Sequence, residues 1–389
     1  MADLDLVQRE GAAGVRLKPA LLDANAIVTH IEVNRQHGVG VLVQRLFSDS
    51  SNILSVRSRD YFKGCQEFGA QHVRISSGGD VVPSLHGSTV KRILCVPYFP
   101  EDARNAIALK EIFHAPLCTY LMDDQNLSTD GIADELMAEL LEKSALRLAI
   151  SAELCKGYEE KYGHKIWFMP PLAPAQFIPP NVNYRSRREL GFKEAVIVGN
   201  IWGHRWIELL RETVRGTRIR LRWYNHGEFR NVDGPIAELA ADGIVPMLGR
   251  DDDRVLVNTL RCAPFVVVPS GILDETDDRR FIAQLSLPSR IPYIFATSHA
   301  PILVLGSPET AAARFVSSAG IGLVSPYESG AFRETTDLLL DPAKNRTLRD
   351  AAFRLSRKYT DAGAADWIWE SLARGEPVDD RYQKLTPVA

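Results

Sequence analysis

Residues 264–271, PFVVVPSG, read as a β-strand that runs into a loop. The run is short, apolar and rich in Val and Phe, and it stops on Ser270 and Gly271. That is the pattern of a strand buried on both faces of a sheet. An acidic loop follows, with Asp274, Glu275, Asp277 and Asp278. Residues 287–290 (LPSR) then open a helix, because the Pro288 ring pre-sets φ and the Ser289 hydroxyl can accept from free N–H groups. A second apolar run, 301–305 (PILVL), ends on Gly306. Ser307, Pro308 and Glu309 supply a cap, an N1 proline and a first-turn acid for the next helix, which Gly320 closes as a C′ glycine. Residues 321–324 (IGLV) form a third strand. Strands alternating with helices at this spacing demand a parallel sheet, with loops at the C-terminal strand ends able to hold a ligand.

The same grammar runs through the rest of the chain. Residues 26–31 (AIVTHI) read as the first strand, 34–40 (NRQHGVG) as a turn, and 41–47 as a helix. A glycine-bearing turn between first strand and first helix sets free N–H groups and the positive end of a helix dipole beside a ligand. Gly38 and Gly40 let the backbone pass close to a bulky group. The spacing is not GxGxxG, so the dinucleotide fingerprint is absent, and a tight turn without a ligand is the alternative. Further strands are expected at 52–56, 72–75, 92–97 and 116–122, the last ending in the polar cluster Asp123, Asp124, Gln125 and Asn126. Ile132, Leu136 and Leu140 mark one face of a helix. A strand at 146–150, a helix at 152–162 and a strand at 166–169 complete this half.

Residues 170–194 carry Pro170, Pro171, Pro174, Pro179 and Pro180, then Arg185, Arg187 and Arg188. This composition marks a linker, and the basic run reads as solvated surface. The second half restarts with a strand at 195–199, a turn at 199–205 and a helix at 206–214. A strand at 219–224 ends at Asn225, His226 and Gly227, and another covers 243–248. Asp251 or Asp252 caps a helix carrying Val255, Leu256 and Leu260. Helices over 344–359 and 362–374 finish the chain. The expected division is a lead-in (1–23), a first α/β domain (24–172), a linker (173–194), a second α/β domain (195–345) and C-terminal helices (346–389).

At 389 residues the chain exceeds what one core usually supports. A net charge of −3 without blocks of like charge argues against a nucleic-acid partner. Cys65, Cys95, Cys118, Cys155 and Cys262 are scattered without CxxC spacing, as small buried hydrophobes of a reducing cytosol would be. No apolar span is long enough to cross a membrane, and the acidic N-terminus lacks the regions of a signal peptide. A cytoplasmic protein is expected, with a peripheral membrane contact left open.

Two α/β domains joined by a proline-rich linker resemble the GT-B glycosyltransferases. The resemblance becomes specific at residues 146–151, at Tyr162 through Ile166 with Pro170 and Pro171, and at 196–199 (VIVG). It continues at 245–249 (VPMLG), at 267–270 (VVPS), and at Pro288-Ser289-Arg290-Ile291 followed by Ala300-Pro301-Ile302-Leu303. These segments are similar to the large retaining, GT4-like family. Residues 37–40 (HGVG) fall where that fold keeps a glycine loop near the donor diphosphate. The family carries two glutamates separated by seven residues. Here Glu275 matches the first and Ala283 stands at the second.

What the resemblance implies is two Rossmann-like domains facing across a cleft, and sugar transfer from a nucleotide sugar to an acceptor hydroxyl. No metal and no cofactor are expected, and retention versus inversion stays open. Met247 would meet the base edge, Asp274 or Glu275 the ribose, and Ser286, Ser289 and Arg290 the phosphate, with Ser270 as a further donor-binding residue. Gly38, Val39 and Gly40 would close over the diphosphate, with Arg205 and His226 as further donor contacts. Asp123, Asp124 and His37 are the candidates for the acceptor proton or for sugar binding. The DxD-like run 251–253 precedes a helix and reads as a cap. The acceptor could be a glycan, a lipid-linked sugar or a small molecule. A nucleotide-sugar 2-epimerase on the same fold and a non-catalytic partner-binding relative are the rival readings.

Overall fold

The computed structural model describes residues 20–76, 78–184, 193–225, 229, 231–247 and 252–385. The expectations placed on residues 1–19, the basic run 185–188, His226, Leu248 and Asp251 lie outside the described residues.

The first sheet is built from β1 (Ala24–Thr29), β2 (Ile53–Arg57), β3 (Gln71–Arg74), β4 (Val90–Cys95), β5 (Leu117–Leu121), β6 (Leu146–Ala149) and β7 (Trp167–Phe168). Its order is β3-β2-β1-β4-β5-β6-β7, and the paired strands run parallel. The second sheet holds β8 (Lys193–Val198), β9 (Ile219–Tyr224), β10 (Ile244–Met247), β11 (Val266–Pro269), β12 (Ile302–Leu305) and β13 (Gly322–Ser325). Its order is β10-β9-β8-β11-β12-β13, again parallel. Two parallel sheets with interleaved helices make two Rossmann-like domains, as the apolar runs foretold. Every residue of β5, β11 and β12 is buried, which is why those strands read as continuous apolar runs rather than alternating ones. In each sheet the strand order reverses once, between β1 and β4 and between β8 and β11. Such a reversal opens a crevice at the carboxyl ends of the strands, where ligands bind in sheets of this kind.

The helices of the first domain are α1 (Gly38–Leu46), α2 (Val81–Ser84), α3 (Pro100–Phe113), α4 (Asp134–Lys143) and α5 (Ala152–Tyr162). Those of the second are α6 (His204–Val214), α7 (Ala237–Ala241), α8 (Asp253–Cys262), α9 (Arg280–Leu285), α10 (Arg290–Ser298), α11 (Ala311–Ser318) and α12 (Ser329–Leu340). Two more, α13 (Pro342–Ser356) and α14 (Ala364–Arg374), follow. The last of them returns to the first domain. The Trp369 ring packs 5.3 Å from Phe47, and the Arg92 guanidinium lies 4.4 Å above Trp369.

Several local expectations are corrected. The α11 helix starts at Ala311, not at Ser307–Pro308. The Thr310 hydroxyl accepts from Ala313 N at 3.2 Å, while Ser307 N is tied back to Gly271 O at 2.8 Å. Val255 is 49% exposed on α8, and only Leu256 and Leu260 of that trio face inward. The acidic loop after β11 is followed by a helix, α9, that its charged sequence concealed.

Candidate active site

Two helix N-termini meet in the cleft between the domains. The first is α1. Its N-cap is His37, whose Nδ1 accepts from Gly40 N at 3.3 Å while Nε2 donates to Glu32 O at 2.8 Å. A carbonyl can only accept, so the proton sits on Nε2 and the imidazole is held in one neutral tautomer. This corrects the expectation of a loop: Gly38 and Gly40 form the first turn of the helix, and His37 closes it. Gly40 has no room for a side chain, since a Cβ there would strike Asn34 O and lie 2.7 Å from His37 Nε2. Gly38 opens the other way, and a Cβ on it would stand 3.9 Å from Ser289 Oγ across the cleft. Val39 packs into the core.

The second N-terminus is α10. Ser289 is its N-cap, but with φ −59° and ψ −20° its hydroxyl makes no capping bond, contrary to expectation. Neither helix carries an acid in its first turn. Two positive dipole ends therefore face one space without local compensation. Arg290 adds a full charge. Its Nη1 donates to Val198 O at 3.0 Å and its Nη2 to Asn200 O. Among the described residues no carboxylate pairs with it, and burial presses its pKa down to about 10. A desolvated guanidinium held only by carbonyls is poised for an anion.

Gly38, Gly199, Asn200, Trp202, Ser289 and Arg290 line a cavity of about 900 Å³. Asn225 braces its floor by donating to Asn200 Oδ1 at 2.6 Å, and Asn231 holds the carbonyls of Ile201 and Trp202, both at 3.0 Å.

Asp123 stands at the end of β5. It accepts the Tyr98 hydroxyl proton, and burial raises its pKa, offset in part by Tyr98 and by Ser286 from the second domain. Ser286 Oγ is buried and makes no hydrogen bond of ordinary geometry, so it leans on Asp123 only by proximity. His30, which the sequence did not single out, stacks on Tyr98 with ring centroids 4.2 Å apart. Its Nδ1 is buried without a partner among the described residues, and burial, with smaller effects of the neighbouring His37 ring and the Arg59 guanidinium, lowers its pKa to about 3. The imidazole is neutral. Asp124 is committed to its own loop: Oδ1 accepts from Asn126 N at 3.0 Å and Leu127 N at 2.7 Å, and Oδ2 from Ser128 N at 2.8 Å.

The acidic loop is organised by Asp277 rather than by the residues singled out beforehand. Its buried carboxylate accepts from Trp206 Nε1 at 2.7 Å, Ile272 N at 2.8 Å, Leu273 N at 3.0 Å and Arg279 N at 3.0 Å. Asp274 accepts from the Thr276 hydroxyl and N–H, both at 2.8 Å, which holds its pKa below the ordinary range. Glu275 is exposed. Arg205 pairs with Glu208 at 3.0 Å in the first turn of α6. Met247 is half-buried at the end of β10, and the Ser270 carbonyl accepts from Tyr327 Oη at 2.9 Å. None of these five lines the cavity. The structure thus gathers His37, Gly38, Ser289 and Arg290 at the cavity, sets Asp123 and Ser286 together at the domain joint outside its lining, and leaves the remaining described candidates apart. Among the described residues no group of three or more His, Cys, Asp or Glu could hold a metal ion, and no helix is long and apolar enough to cross a membrane.

No protein-family model and no curated protein matches the sequence. Solved structures do match the fold. One is sucrose-phosphate synthase from Thermosynechococcus elongatus, with TM-score 0.60 and 11% identity over 90% of this chain and 98% of that one. Another is α,α-trehalose 6-phosphate synthase from Burkholderia multivorans, with TM-score 0.59 and 11% identity over 91% and 97%. A third is WaaG, a glycosyltransferase involved in lipopolysaccharide biosynthesis, with TM-score 0.56 and 12% identity over 88% and 98%. At such identities the likeness establishes the architecture, and that architecture is the GT-B fold.

Proposed function

We propose that this chain is a glycosyltransferase that moves a sugar from a nucleotide-sugar donor to an acceptor hydroxyl. The observation that carries the reading is Arg290, a desolvated cation with no carboxylate partner among the described residues, set where the N-termini of α1 and α10 converge. That is a diphosphate site in chemical terms: fixed positive charge, aimed dipoles and a glycine allowing close approach. Breaking the bond from the anomeric carbon to its phosphate oxygen leaves negative charge on the leaving nucleoside diphosphate. Arg290 and the two helix ends stabilise that charge without calling on a metal. Asp123 is the group that receives the acceptor proton. Burial strengthens it as a base, and Tyr98 fixes its direction. The fold shared with WaaG supports the reading. The cysteines, all free, fit a reducing cytoplasm, where we place the activity.

The test is release of nucleoside diphosphate from UDP-, GDP-, dTDP- and CDP-sugars, with and without simple sugar acceptors. Release that disappears in Arg290→Met supports the reading. No release from any donor, or release indifferent to that substitution, contradicts it.

A further inference from the structure

The cavity continues past the proposed donor site, along the seam between α1 and α10, to Arg45 and Tyr293. Arg45 lies two turns along α1 from Gly38, about 10 Å by helical rise. Its guanidinium sits 4.6 Å above the Tyr293 ring, a contact made across the two domains. That ring contact aside, the head group has no protein partner among the described residues. No carboxylate lies within ion-pair distance, and no oxygen accepts from its N–H groups. Asp253 and Asp361 act on it only from farther away, and Asp253 is itself engaged by Arg35 at 3.6 Å. The Tyr293 hydroxyl is buried and has no partner either.

The Arg45 guanidinium, a charged fork of donors, stands half-buried in the cavity wall without a counter-charge, against the Tyr293 ring. A bound oxyanion would accept from that fork and supply the missing counter-charge. The volume of about 900 Å³ stands near the upper end for small-molecule sites, so a donor need not fill it.

We propose that Arg45, held against the Tyr293 ring, forms a second oxyanion subsite, which takes the phosphate or carboxylate of a ligand other than the donor diphosphate. That it is second rests on the donor reading above; that it binds an oxyanion does not. The group bound is either a phosphomonoester carried by the acceptor or free inorganic phosphate.

The experiment is thermal unfolding of the full chain in a titration of inorganic phosphate, glucose 6-phosphate and glucose. It is run alone and with saturating UDP, GDP, dTDP or CDP, on the wild type, Arg45→Gln and Tyr293→Phe. An anion that binds the native state raises the midpoint. Phosphate or glucose 6-phosphate is expected to raise the wild-type midpoint while glucose does not. Arg45→Gln weakens that binding roughly tenfold or more. Tyr293→Phe, which keeps the ring beneath the guanidinium, leaves that binding near the wild-type value, so a loss confined to Arg45→Gln is not a general effect of altering the pair. Tighter binding of glucose 6-phosphate than of phosphate assigns the subsite to a phosphorylated acceptor, and equal binding assigns it to the free ion. Persistence of the shift at saturating nucleoside diphosphate shows two separate sites. No anion-dependent shift, an undiminished shift in Arg45→Gln, or a shift abolished by nucleoside diphosphate overturns the proposal. A shift that depends on Arg45 in a protein indifferent to every nucleotide removes the donor reading and leaves the oxyanion subsite standing.

Discussion

Replacing Arg290 by Met separates what this residue does for the fold from what it does for an anion. Pressing the guanidinium pKa down to about 10 means the charge is held at a cost of about 3 kcal/mol relative to water. Its bonds to Val198 O and Asn200 O return an amount of the same order, since hydrogen bonds to charged groups contribute about 1.5–3 kcal/mol each. Methionine removes both effects and fills a similar volume. The net change in folding stability is therefore expected to stay within about 2 kcal/mol in either direction. Anion binding behaves differently. A diphosphate supplies the missing counter-charge, and losing one charge-assisted contact in a desolvated site costs about 2–4 kcal/mol. That is roughly 30- to 1,000-fold in Kd. Isothermal titration with the nucleoside diphosphate that the wild type binds, beside thermal unfolding of both proteins, reads the two quantities separately. Equal affinity in the variant would refute the assignment. So would a variant that loses much stability and little affinity, because Arg290 would then serve only the turn after β8.

Further outcomes follow from the geometry. Asp123→Asn should lower turnover by about 10²- to 10⁴-fold with donor affinity unchanged. Because burial raises the Asp123 pKa, wild-type turnover should climb with pH through a midpoint above 3.8, and the variant should lack that limb. The same shift makes the folded state hold the proton more tightly than the unfolded chain. Stability is therefore lost as pH rises through that window, and Asp123→Asn should remove the slope in a pH series of unfolding midpoints. Asp124→Ala strips the acceptor from three loop N–H groups, so thermal unfolding should show a loss of about 2–3 kcal/mol while titration shows undiminished nucleotide binding. Gly40→Ala forces a methyl into Asn34 O and should destabilise by about 1–3 kcal/mol. Gly38→Ala meets only an ordinary contact with Ser289, so its midpoint should hold while donor affinity falls; the reverse pattern in unfolding and titration would contradict the placement of α1.

The fold was legible because strands buried on both faces must be apolar along their whole length. The runs at 264–269 and 301–305 obey that rule, which made the parallel sheet readable; the order of its strands, with one reversal in each sheet, was not. The site was legible in part. Gly38, Ser289 and Arg290 lie at helix starts that a local pattern reveals. His37 shared that pattern, but the sequence could not show that both its ring nitrogens would be spent on main-chain groups. Asp277 and Glu275 are indistinguishable in a run of acids. Burial against Trp206 is what makes Asp277 the organiser of the loop, and burial depends on the packing of distant elements. Arg45 with Tyr293, and His30 with Tyr98, are pairs made across long stretches of chain, so no spacing betrays them.

The central claim is that a nucleotide sugar binds with its diphosphate between α1 and α10. The most direct measurement is a thermal-shift screen of the purified chain against UDP-, GDP-, dTDP- and CDP-sugars, with and without a chelator, for the wild type and Arg290→Met. The account predicts that one nucleotide raises the wild-type midpoint, that the chelator leaves the rise intact, and that Arg290→Met loses it. No rise with any nucleotide, or an equal rise in the variant, would contradict it.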